Sequence, residues 1–190
     1  MNVIRGDDGL PRCAWVGRDE QLIAYHDDEW GRITKDETRL FEKLCLEGFQ
    51  AGLSWRTVLH KRDRFRLVYD GFDPQKIAAY TPEDIDVRAS DPALIRQRAK
   101  HAAVVTNARA YLNLAAAGGT LGELVFASHD QTRTRPTNVG DIAAATPASA
   151  ELAKTLKRHG FVFVGPVTMY ALMQACGVVN DHVVACATSV

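Results

Sequence analysis

The sequence predicts an all-α domain, and three observations support this prediction. Prolines follow residues suited to a helix N-cap at Asp73-Pro74, Thr81-Pro82, Asp91-Pro92 and Thr146-Pro147, and Gly165-Pro166 can play the same part. Glycines suited to C-terminal caps follow helical stretches at Gly118-Gly119, Gly160 and Gly177. No alternating strand pattern of useful length is present, apart from the short apolar segment Phe161–Val164.

The same signals place helices along the chain. They are expected near residues 36–48, 54–68, 74–79, 82–88, 92–116, 147–159, 166–176 and 180–186. The alanine-rich segment 92–116 has Arg98 as a point where it could break. Residues 127–145 are polar and mixed, which predicts a long surface loop.

Bulk composition narrows the class of protein. A chain of 190 residues with 46% hydrophobic residues fits one domain or two closely packed lobes. It has no apolar run of bilayer length and no secretory signal, so a cytoplasmic protein is expected. Its 23 basic and 23 acidic residues give no support to wholesale electrostatic binding of nucleic acid, but they leave room for a local basic patch. The four cysteines are expected to be thiols or metal ligands, with Cys45 and Cys176 as buried thiols.

Glu47 is the only charge in the segment LCLEGFQAGLSW, residues 44–55. Its neighbours are apolar or aromatic, so the carboxylate loses solvation and should either pair with a cation or have a raised pKa. Two interpretations fit this pattern. One is a pocket carboxylate beside an aromatic wall, and the other is a helix-surface Glu followed by two helix-breaking glycines.

The three tryptophans, Trp15, Trp30 and Trp55, all lie in the first 55 residues, and Tyr25 stands between the first two. Any one tryptophan is more often a core residue than a binding residue. Three of them, together with Tyr25 and the lone Glu47, favour an aromatic cavity.

Two Cys/His pairs lie near opposite ends of the chain. His182 and Cys186 are four residues apart, a spacing that on a helix puts both side chains on one face. With Cys13 and His26 they make a Cys2His2 set, which zinc accepts as a closed tetrahedral structural site without an open position for water. The alternative is a free Cys13, a capping His26 and a core His182.

Residues 154–176 predict a helix, a tight turn and a second helix that opens at Pro166. Such a helix–hairpin–helix presents backbone N–H groups where a DNA phosphate can bind without sequence readout. Local positive charge comes from Lys154, Lys157, Arg158 and His159. The alternative is an ordinary helical corner with a solvated basic face. DNA contacts are expected from Gly160, Phe161, Val164, Gly165 and Thr168. The hairpin and its following helix contain no lysine, so they offer no imine-forming amine.

Four segments in this order resemble a known family: CAWV at 13–16, YHDDEWG at 25–31, LFEKLCLEGFQAGLSW at 40–55 and GFVFVGPVTMYALMQACGVVNDHVVAC at 160–186. They closely resemble the bacterial 3-methyladenine-DNA glycosylase I family, the zinc-containing branch of the helix–hairpin–helix glycosylases. The resemblance runs from Cys13 to Cys186. It implies a single glycosylase domain over residues 13–190, preceded by a flexible extension over residues 1–12.

The resemblance implies helical lobes around a base-binding cleft, with a structural zinc that joins the chain ends. It implies a monomeric DNA repair enzyme that hydrolyses the N-glycosidic bond of 3-methyladenine in alkylated double-stranded DNA, without strand cleavage. Glu47 matches the base-recognising carboxylate, and whether it also helps to expel the base is open. The other matches are the zinc ligands Cys13, His26, His182 and Cys186, the pocket tyrosine Tyr25, the stacking Trp55, and the further aromatics Trp15 and Trp30.

Two positions leave alternatives open. The family often has an aromatic residue where this chain has Leu22, which changes one expected pocket wall. Asp181 lies roughly where related glycosylases have an Asp that stabilises the sugar cation or guides water, but it could equally support His182. The competing functions are a non-catalytic damage-sensing module and a zinc hydrolase. The hydrolase is disfavoured because four protein ligands leave no position for water.

Overall fold

The computed structural model describes residues 2–129 and 134–188. Over these ranges the chain forms ten α-helices and one two-stranded antiparallel hairpin, so the all-α prediction is confirmed apart from the hairpin. The strands are β1 (Val3–Arg5) and β2 (Pro11–Cys13). The helices are α1 (Glu20–Asp28), α2 (Glu37–Gln50), α3 (Trp55–Leu59), α4 (Arg62–Val68), α5 (Pro74–Ala78), α6 (Pro82–Ser90), α7 (Arg98–Ala116), α8 (Leu121–Phe126), α9 (Pro147–Arg158) and α10 (Pro166–Ala175). In the described ranges no helix has both the length and the apolar composition needed to cross a bilayer.

Prolines mark the helix starts that the sequence predicts in four of five cases. Helices α5, α6, α9 and α10 each have proline in the first turn. The side chains of Asp73, Thr81 and Thr146 accept hydrogen bonds from backbone N–H groups of the first turn. These caps satisfy donors that have no partner inside the helix, which explains why the starts can be read from the sequence.

The predicted helix start at Asp91-Pro92 is wrong. The Asp91 carboxylate instead accepts a hydrogen bond from the Ala93 N–H at 2.8 Å and closes a turn. Leu94 and Ile95 then enter the core, and α7 begins at Arg98. Packing of these two apolar residues therefore overrides the local capping signal.

Residues 54–68 form α3 and α4 rather than the single helix predicted. Leu59, at the end of α3, packs in a small apolar cluster with Tyr25. Val58 and Phe65 pack in the main core. The break between the two helices lets this segment contribute to both clusters.

Phe161–Val164 lies in the loop between α9 and α10, in agreement with the tight turn predicted there, and the Asn107 side chain accepts from the Val162 N–H at 2.8 Å and donates to its carbonyl at 3.2 Å. The helix predicted at residues 180–186 is wrong, because these residues are not helical. The backbone around His182 instead bonds to side chains and loops from elsewhere, as described with the metal centre below.

The sequence predictions omit α1, α8 and the hairpin. Both helices carry a start signal, because Asp19 caps α1 and a reciprocal Thr120–Glu123 capping box opens α8.

Strands β1 and β2 pair Val3 with Cys13, so the N-terminal segment has regular structure. Its flexibility and the domain boundary after residue 12 stay predictions, and Met1 and residues 189–190 lie outside the described residues. Of the predicted loop 127–145, residues 130–133 also lie outside them, and the rest contains only a 3-10 turn at Val139–Asp141.

Helix α2 lies at the centre of the molecule. It packs against α10, α7, α8 and α3, and its buried side chains include Leu40, Phe41, Leu44 and Phe49. The smaller cluster forms where β2, α1 and the C-terminal segment meet. Trp55 packs against both clusters and so marks the boundary between them.

A buried lysine closes the C-terminal end of α2. Lys100, on α7, is 3% exposed, and its Nζ donates to the carbonyls of Phe49 at 2.7 Å and Ala51 at 2.6 Å. Helix C-terminal carbonyls lack partners inside the helix and carry partial negative charge, which a cation stabilises. Lys100 therefore fixes the end of the helix that carries Glu47.

Replacing Lys100 with methionine should lower the free energy of unfolding by about 2–3 kcal/mol, because two buried carbonyls lose a charged donor. Urea denaturation measures this change. Lys35→Met, at an exposed position, is the control and should change stability by less than about 0.5 kcal/mol. Equal stability of the two variants would contradict the role given to Lys100.

Candidate active site and metal centre

The side chains of Cys13, His26, His182 and Cys186 are buried together, and their ligand atoms all lie within 4.8 Å of one another. Strand β2 supplies Cys13 and helix α1 supplies His26, while the other two come from the irregular segment after α10. The two predicted Cys/His pairs are thus brought into one cluster.

Distances within the cluster fit a tetrahedral metal site. His26 Nε2 and His182 Nδ1 are 3.1 Å apart, and Cys186 Sγ lies 3.5 Å and 3.7 Å from these two atoms. Cys13 Sγ is 3.9 Å from His182 Nδ1. A tetrahedral zinc ion bound at ordinary bond lengths separates two nitrogens by about 3.3 Å and a sulfur from a nitrogen by about 3.6 Å.

Hydrogen bonds outside the cluster determine which ring nitrogens face inward. His26 Nδ1 lies 2.7 Å from the Asp27 carboxylate, and His182 Nε2 lies 3.0 Å from the carbonyl oxygen of Trp30. A carbonyl only accepts, so His182 Nε2 must donate. Asp27 is also an acceptor, because hydrogen bonds from Arg12 and His26 lower its pKa despite the opposing effect of burial. Two imidazole lone pairs therefore face each other and need a cation between them, which fits a metal ion.

The ligand segment at the C-terminal end is held by an arginine rather than by a helix. Arg135 donates to the carbonyls of His182 at 2.9 Å, Val183 at 2.7 Å and Cys186 at 3.1 Å. In the predicted helix the carbonyl of His182 would instead accept from the backbone N–H four residues later. A hydrogen bond from the Cys13 thiol also lowers the pKa of the Cys186 thiol, which favours a thiolate ligand.

A cavity of about 320 Å³ lies beside this cluster. All five residues predicted for the base pocket line it, and their roles in binding remain a prediction. The full lining consists of Trp15, Tyr25, Trp30, Glu47, Gln50, Trp55, Val139, Ile142, Ala171 and Gln174.

Glu47 lies in the last turns of α2 with its side chain buried, which excludes the helix-surface interpretation. Its Oε2 atom has no hydrogen-bond partner among the described residues. Burial raises the pKa of Glu47 from 4.5 to about 8, although the charge of Lys43 opposes the shift. The carboxyl is thus a polar group in an apolar wall with one oxygen still available.

Aromatic rings surround this carboxyl. The ring centroids of Tyr25 and Trp55 are 5.0 Å apart at an angle of 45°, and the buried Trp55 Nε1 also has no hydrogen-bond partner within the described chain. Burial, followed by the charge of Glu47, raises the pKa of Tyr25 well above its ordinary value. The cavity therefore offers aromatic faces, a neutral phenol and polar atoms that a ligand could pair with.

Comparison with known proteins decides the family. The model of the methyladenine glycosylase family matches residues 15–189. The chain belongs to the methyladenine glycosylase family. It is 48% identical over 179 residues to DNA-3-methyladenine glycosylase 1 of Escherichia coli (strain K12), which covers 93% of this chain and 96% of that protein.

Solved structures agree with this assignment. A crystal structure of 3-methyladenine DNA glycosylase I has 46% identity and a TM-score of 0.90, and the match covers 93% of this chain and 98% of that one. A variant of 3-methyladenine DNA glycosylase I in complex with 3-methyladenine has 31% identity and a TM-score of 0.87, over 93% and 96% of the two chains. The resemblance to this family is confirmed.

The metal cluster and the cavity of this methyladenine glycosylase share a wall. Trp30 lines the cavity, its ring lies 4.6 Å from that of His182, and its carbonyl accepts the His182 proton. Trp15, also in the lining, lies 5.1 Å from Trp30 and 5.4 Å from His26, measured between ring centroids. The cluster therefore supports the two tryptophans of the cavity directly.

The predicted DNA-binding hairpin presents different side chains from those expected. Phe161 and Val164 are buried, so only their backbone groups can reach a DNA strand. Gly160 has a φ of +88°, Gly165 is the N-cap of α10, and Thr168 lies in the first turn of that helix. The exposed apolar side chains at the tip belong to Val162 and Phe163. The sequence prediction missed both, although an apolar tetrapeptide in a tight turn cannot bury every residue.

The positions of Leu22 and Asp181 bear on two questions that the sequence left open, the pocket wall expected at Leu22 and the role of Asp181. Leu22 is buried in the small apolar cluster and does not line the cavity described above. Asp181 is buried and accepts hydrogen bonds from Tyr170 at 2.7 Å and from Gln174 at 2.8 Å. Because Gln174 lines the cavity, Asp181 orients one of its polar groups.

The raised pKa of Glu47 should make stability depend on pH. The folded protein keeps a proton that the unfolded chain releases above pH 4.5, so this contribution to stability is complete below about pH 4.5 and is lost as the pH rises to about 8. Glu47→Gln stays neutral at every pH. We expect it to match the wild type within about 1 kcal/mol at pH 5 and to exceed it by roughly 3 kcal/mol at pH 7.

Urea denaturation at several pH values measures the difference. Glu83→Gln, at an exposed position, is the control and should show no such pH-dependent gain. A stability difference between Glu47→Gln and wild type that stays constant from pH 5 to pH 8 would contradict the buried, protonated state.

Proposed function

We propose that this protein is a DNA-3-methyladenine glycosylase that hydrolyses the N-glycosidic bond of 3-methyladenine in alkylated double-stranded DNA, releasing the base and leaving an abasic site. The observation that carries the proposal is the buried Glu47 carboxyl, with an unpartnered oxygen in a cavity that also contains Tyr25 and Trp55. The cavity volume of about 320 Å³ is at the lower end for small-molecule sites, which suits a single nucleobase.

A duplex base reaches this cavity only when its nucleotide rotates out of the stack. Methylation at N3 makes the base cationic within the nucleotide, and a cation over a desolvated aromatic face gains about 2 kcal/mol. Tyr25 and Trp55 offer such faces. Unmethylated adenine is neutral and lacks this gain, so aromatic rings select the damaged base.

Glu47 complements the same cation. Entry of a positive charge favours the carboxylate, so Glu47 releases its proton to solvent and accepts a hydrogen bond from the exocyclic amine. Departure of the base breaks the bond from C1′ to N9, and the electron pair neutralises the base. Water then adds to C1′ and loses a proton. The substrate is already activated, so the protein mainly has to flip, bind and orient it.

Hydrolysis without strand cleavage fits the cavity lining. A lyase needs an amine that forms an imine with C1′. The residues that line the cavity in the described chain include no lysine. Lys43 is nearby, but its Nζ donates to the carbonyl of Ala175 at 3.0 Å and lies 5.7 Å from the Tyr25 ring centroid. The Lys43 amine is thus already engaged with a backbone carbonyl.

The DNA strand is proposed to bind along α9, α10 and the loop between these two helices. Backbone N–H groups at the start of α10 can hold a phosphate, and Lys154, Lys157 and Arg158 add exposed positive charge beside Pro166. We also propose that the protein acts as a monomer in the cytoplasm, where its DNA substrate is found, and that residues 13–190 form the glycosylase domain.

The fourfold cluster is proposed to bind one structural zinc ion. Cys13, His26, His182 and Cys186 would hold it, and their donor atoms match the preference of zinc for sulfur and nitrogen. When bound, the ion supplies positive charge that balances the thiolates and orients the two imidazoles. Four protein ligands leave no position for water, so the protein's own residues in the cavity carry the reaction.

At a pH above about 8, where Glu47 is ionised, Glu47→Gln should weaken binding of free 3-methyladenine about tenfold, because the pocket loses a charged acceptor. Titration followed by tryptophan fluorescence suits this measurement, since three tryptophans line the cavity. Glu83→Gln serves again as the control and should bind like wild type. Unchanged affinity of Glu47→Gln would reject the recognition role.

Catalysis is tested with methylated duplex DNA, by chromatography of released bases together with borohydride trapping. We expect 3-methyladenine in the supernatant and no covalent protein–DNA adduct. Binding without base release would favour a damage-sensing module, and a trapped adduct would contradict the proposed absence of lyase chemistry.

Elemental analysis of the purified protein should find about one zinc ion per chain. Cys186→Ser should lose it and lower the melting temperature by about 5–10 °C, because two imidazoles and a thiol then face one another without a cation. Cys45→Ala removes a buried thiol outside the cluster and should keep its zinc. Wild-type protein without zinc would refute the metal centre.

A further inference from the structure

A chain of charged contacts connects the N-terminal hairpin to the metal cluster. Arg12, on β2, is 6% exposed, and its Nε donates to both carboxylate oxygens of Asp27 at 3.0 and 2.8 Å. Its two terminal nitrogens donate to the two oxygens of Asp8 at 2.9 and 2.6 Å. One guanidinium thus holds two carboxylates, one from the hairpin turn and one from helix α1.

The hairpin turn is built to hold Asp8 in this position. The Asp8 carboxylate also accepts from the Leu10 N–H at 3.0 Å, and Gly9 has a φ of +77° in the turn that follows. A Cβ at Gly6 would lie 2.6 Å from an Arg12 nitrogen and 2.7 Å from an Asp8 oxygen. A larger residue at this position would force the ends of the arginine and carboxylate side chains to shift.

Asp27 passes this restraint to a metal ligand. Its Oδ1 accepts from His26 Nδ1 at 2.7 Å and from Thr188 Oγ1 at 3.3 Å, in addition to Arg12. Donors from β2, α1 and the C-terminal segment therefore fix the carboxylate from three sides. The His26 ring is held with Nδ1 outward and Nε2 directed at the other three ligands.

We propose that the N-terminal hairpin is a clamp on the metal centre, in which Asp8 and Arg12 act through Asp27 to position His26 and slow the release of the metal ion. The proposal rests on the zinc site proposed above.

The clamp has a physical basis in how metal ions leave closed sites. Release requires one ligand to rotate away, and His26 can do so only if the Nδ1 hydrogen bond breaks or Asp27 moves with it. Removal of an outer partner of a metal-bound histidine typically weakens metal binding by about 10- to 100-fold. Each link in the chain should therefore affect release, and the effect should decrease with distance from the metal.

The test measures zinc release from the full-length, zinc-loaded protein into excess pyridylazoresorcinol, followed by absorbance. Asp27→Asn should release zinc about 10- to 100-fold faster than wild type, and Asp8→Asn about three- to tenfold faster. The matched control is Asp7→Asn, which removes the same charge at the neighbouring exposed residue and should stay within about twofold of wild type. Arg12→Lys keeps the positive charge but loses the planar guanidinium that bonds both carboxylates. Its zinc-release rate should therefore lie between those of wild type and Asp27→Asn.

Cobalt substitution separates positioning from general stability. The visible absorption bands of tetrahedral cobalt(II) report the ligand geometry, and they should shift in Asp27→Asn but not in Asp7→Asn. Asp8 is at a surface turn, so Asp8→Asn should fold even if substitution of the buried Arg12 does not.

The outcomes distinguish the clamp from the metal site itself. Wild-type release rates in both Asp8→Asn and Asp27→Asn, with one zinc ion per chain, would overturn the clamp and leave the metal centre intact. A wild-type protein that holds no zinc would overturn both.

Discussion

The Glu47 carboxyl is buried with one oxygen that no donor in the described chain reaches, and this is unfavourable unless the fold compensates for it. Helix α2 provides the compensation, because neighbouring helices pack on it and Lys100 satisfies the carbonyls at its end. A rigid helix keeps the side chain in the cavity wall instead of letting it turn to solvent. Local instability of this kind is typical of sites that a ligand completes.

The metal cluster and the cavity form one continuous structure. Trp30 accepts a hydrogen bond from His182 through its carbonyl and lines the cavity with its ring. Arg135 holds the backbone of the segment that carries His182, and Arg12, next to Cys13 on β2, holds the Asp27 carboxylate outside the cluster. A site made by segments so distant in sequence keeps its geometry because both histidine rings are fixed by hydrogen bonds outside the cluster.

Several features could be predicted from sequence because local chemistry determines them. Caps at Thr81 and Thr146 mark helix starts, and the apolar neighbours of Glu47 indicate desolvation. His182 and Cys186 were paired by helical spacing, yet their segment is not helical, and Arg135 bonds the His182 carbonyl that a helix would use. Tertiary contacts of this kind leave no periodic signal.

The contacts around the N-terminal β1–β2 hairpin are even less predictable from the sequence. Asp8, Arg12 and Asp27 are ordinary charged residues in the sequence, and nothing in their spacing indicates that one arginine joins the other two. The helix start expected at Asp91 fails for a related reason, since burial of Leu94 and Ile95 outweighs a good cap. The residue types alone proposed the ligand set and the aromatic cavity, the resemblance to a family matched the same residues, and the structure adds the restraints around them.

The joining of the two chain ends has a consequence for the order in which the protein becomes functional during translation. Cys13 and His26 leave the ribosome well before their partners His182 and Cys186, since His182 follows His26 by 156 residues. The Trp30 ring packs against His182, and the Trp30 carbonyl accepts a hydrogen bond from it. A nascent chain therefore contains every aromatic residue of the cavity long before the residue that supports Trp30. Assembly of the cavity wall is thereby delayed until the segment after α10 has emerged, and chains truncated before His182 lack the support of Trp30.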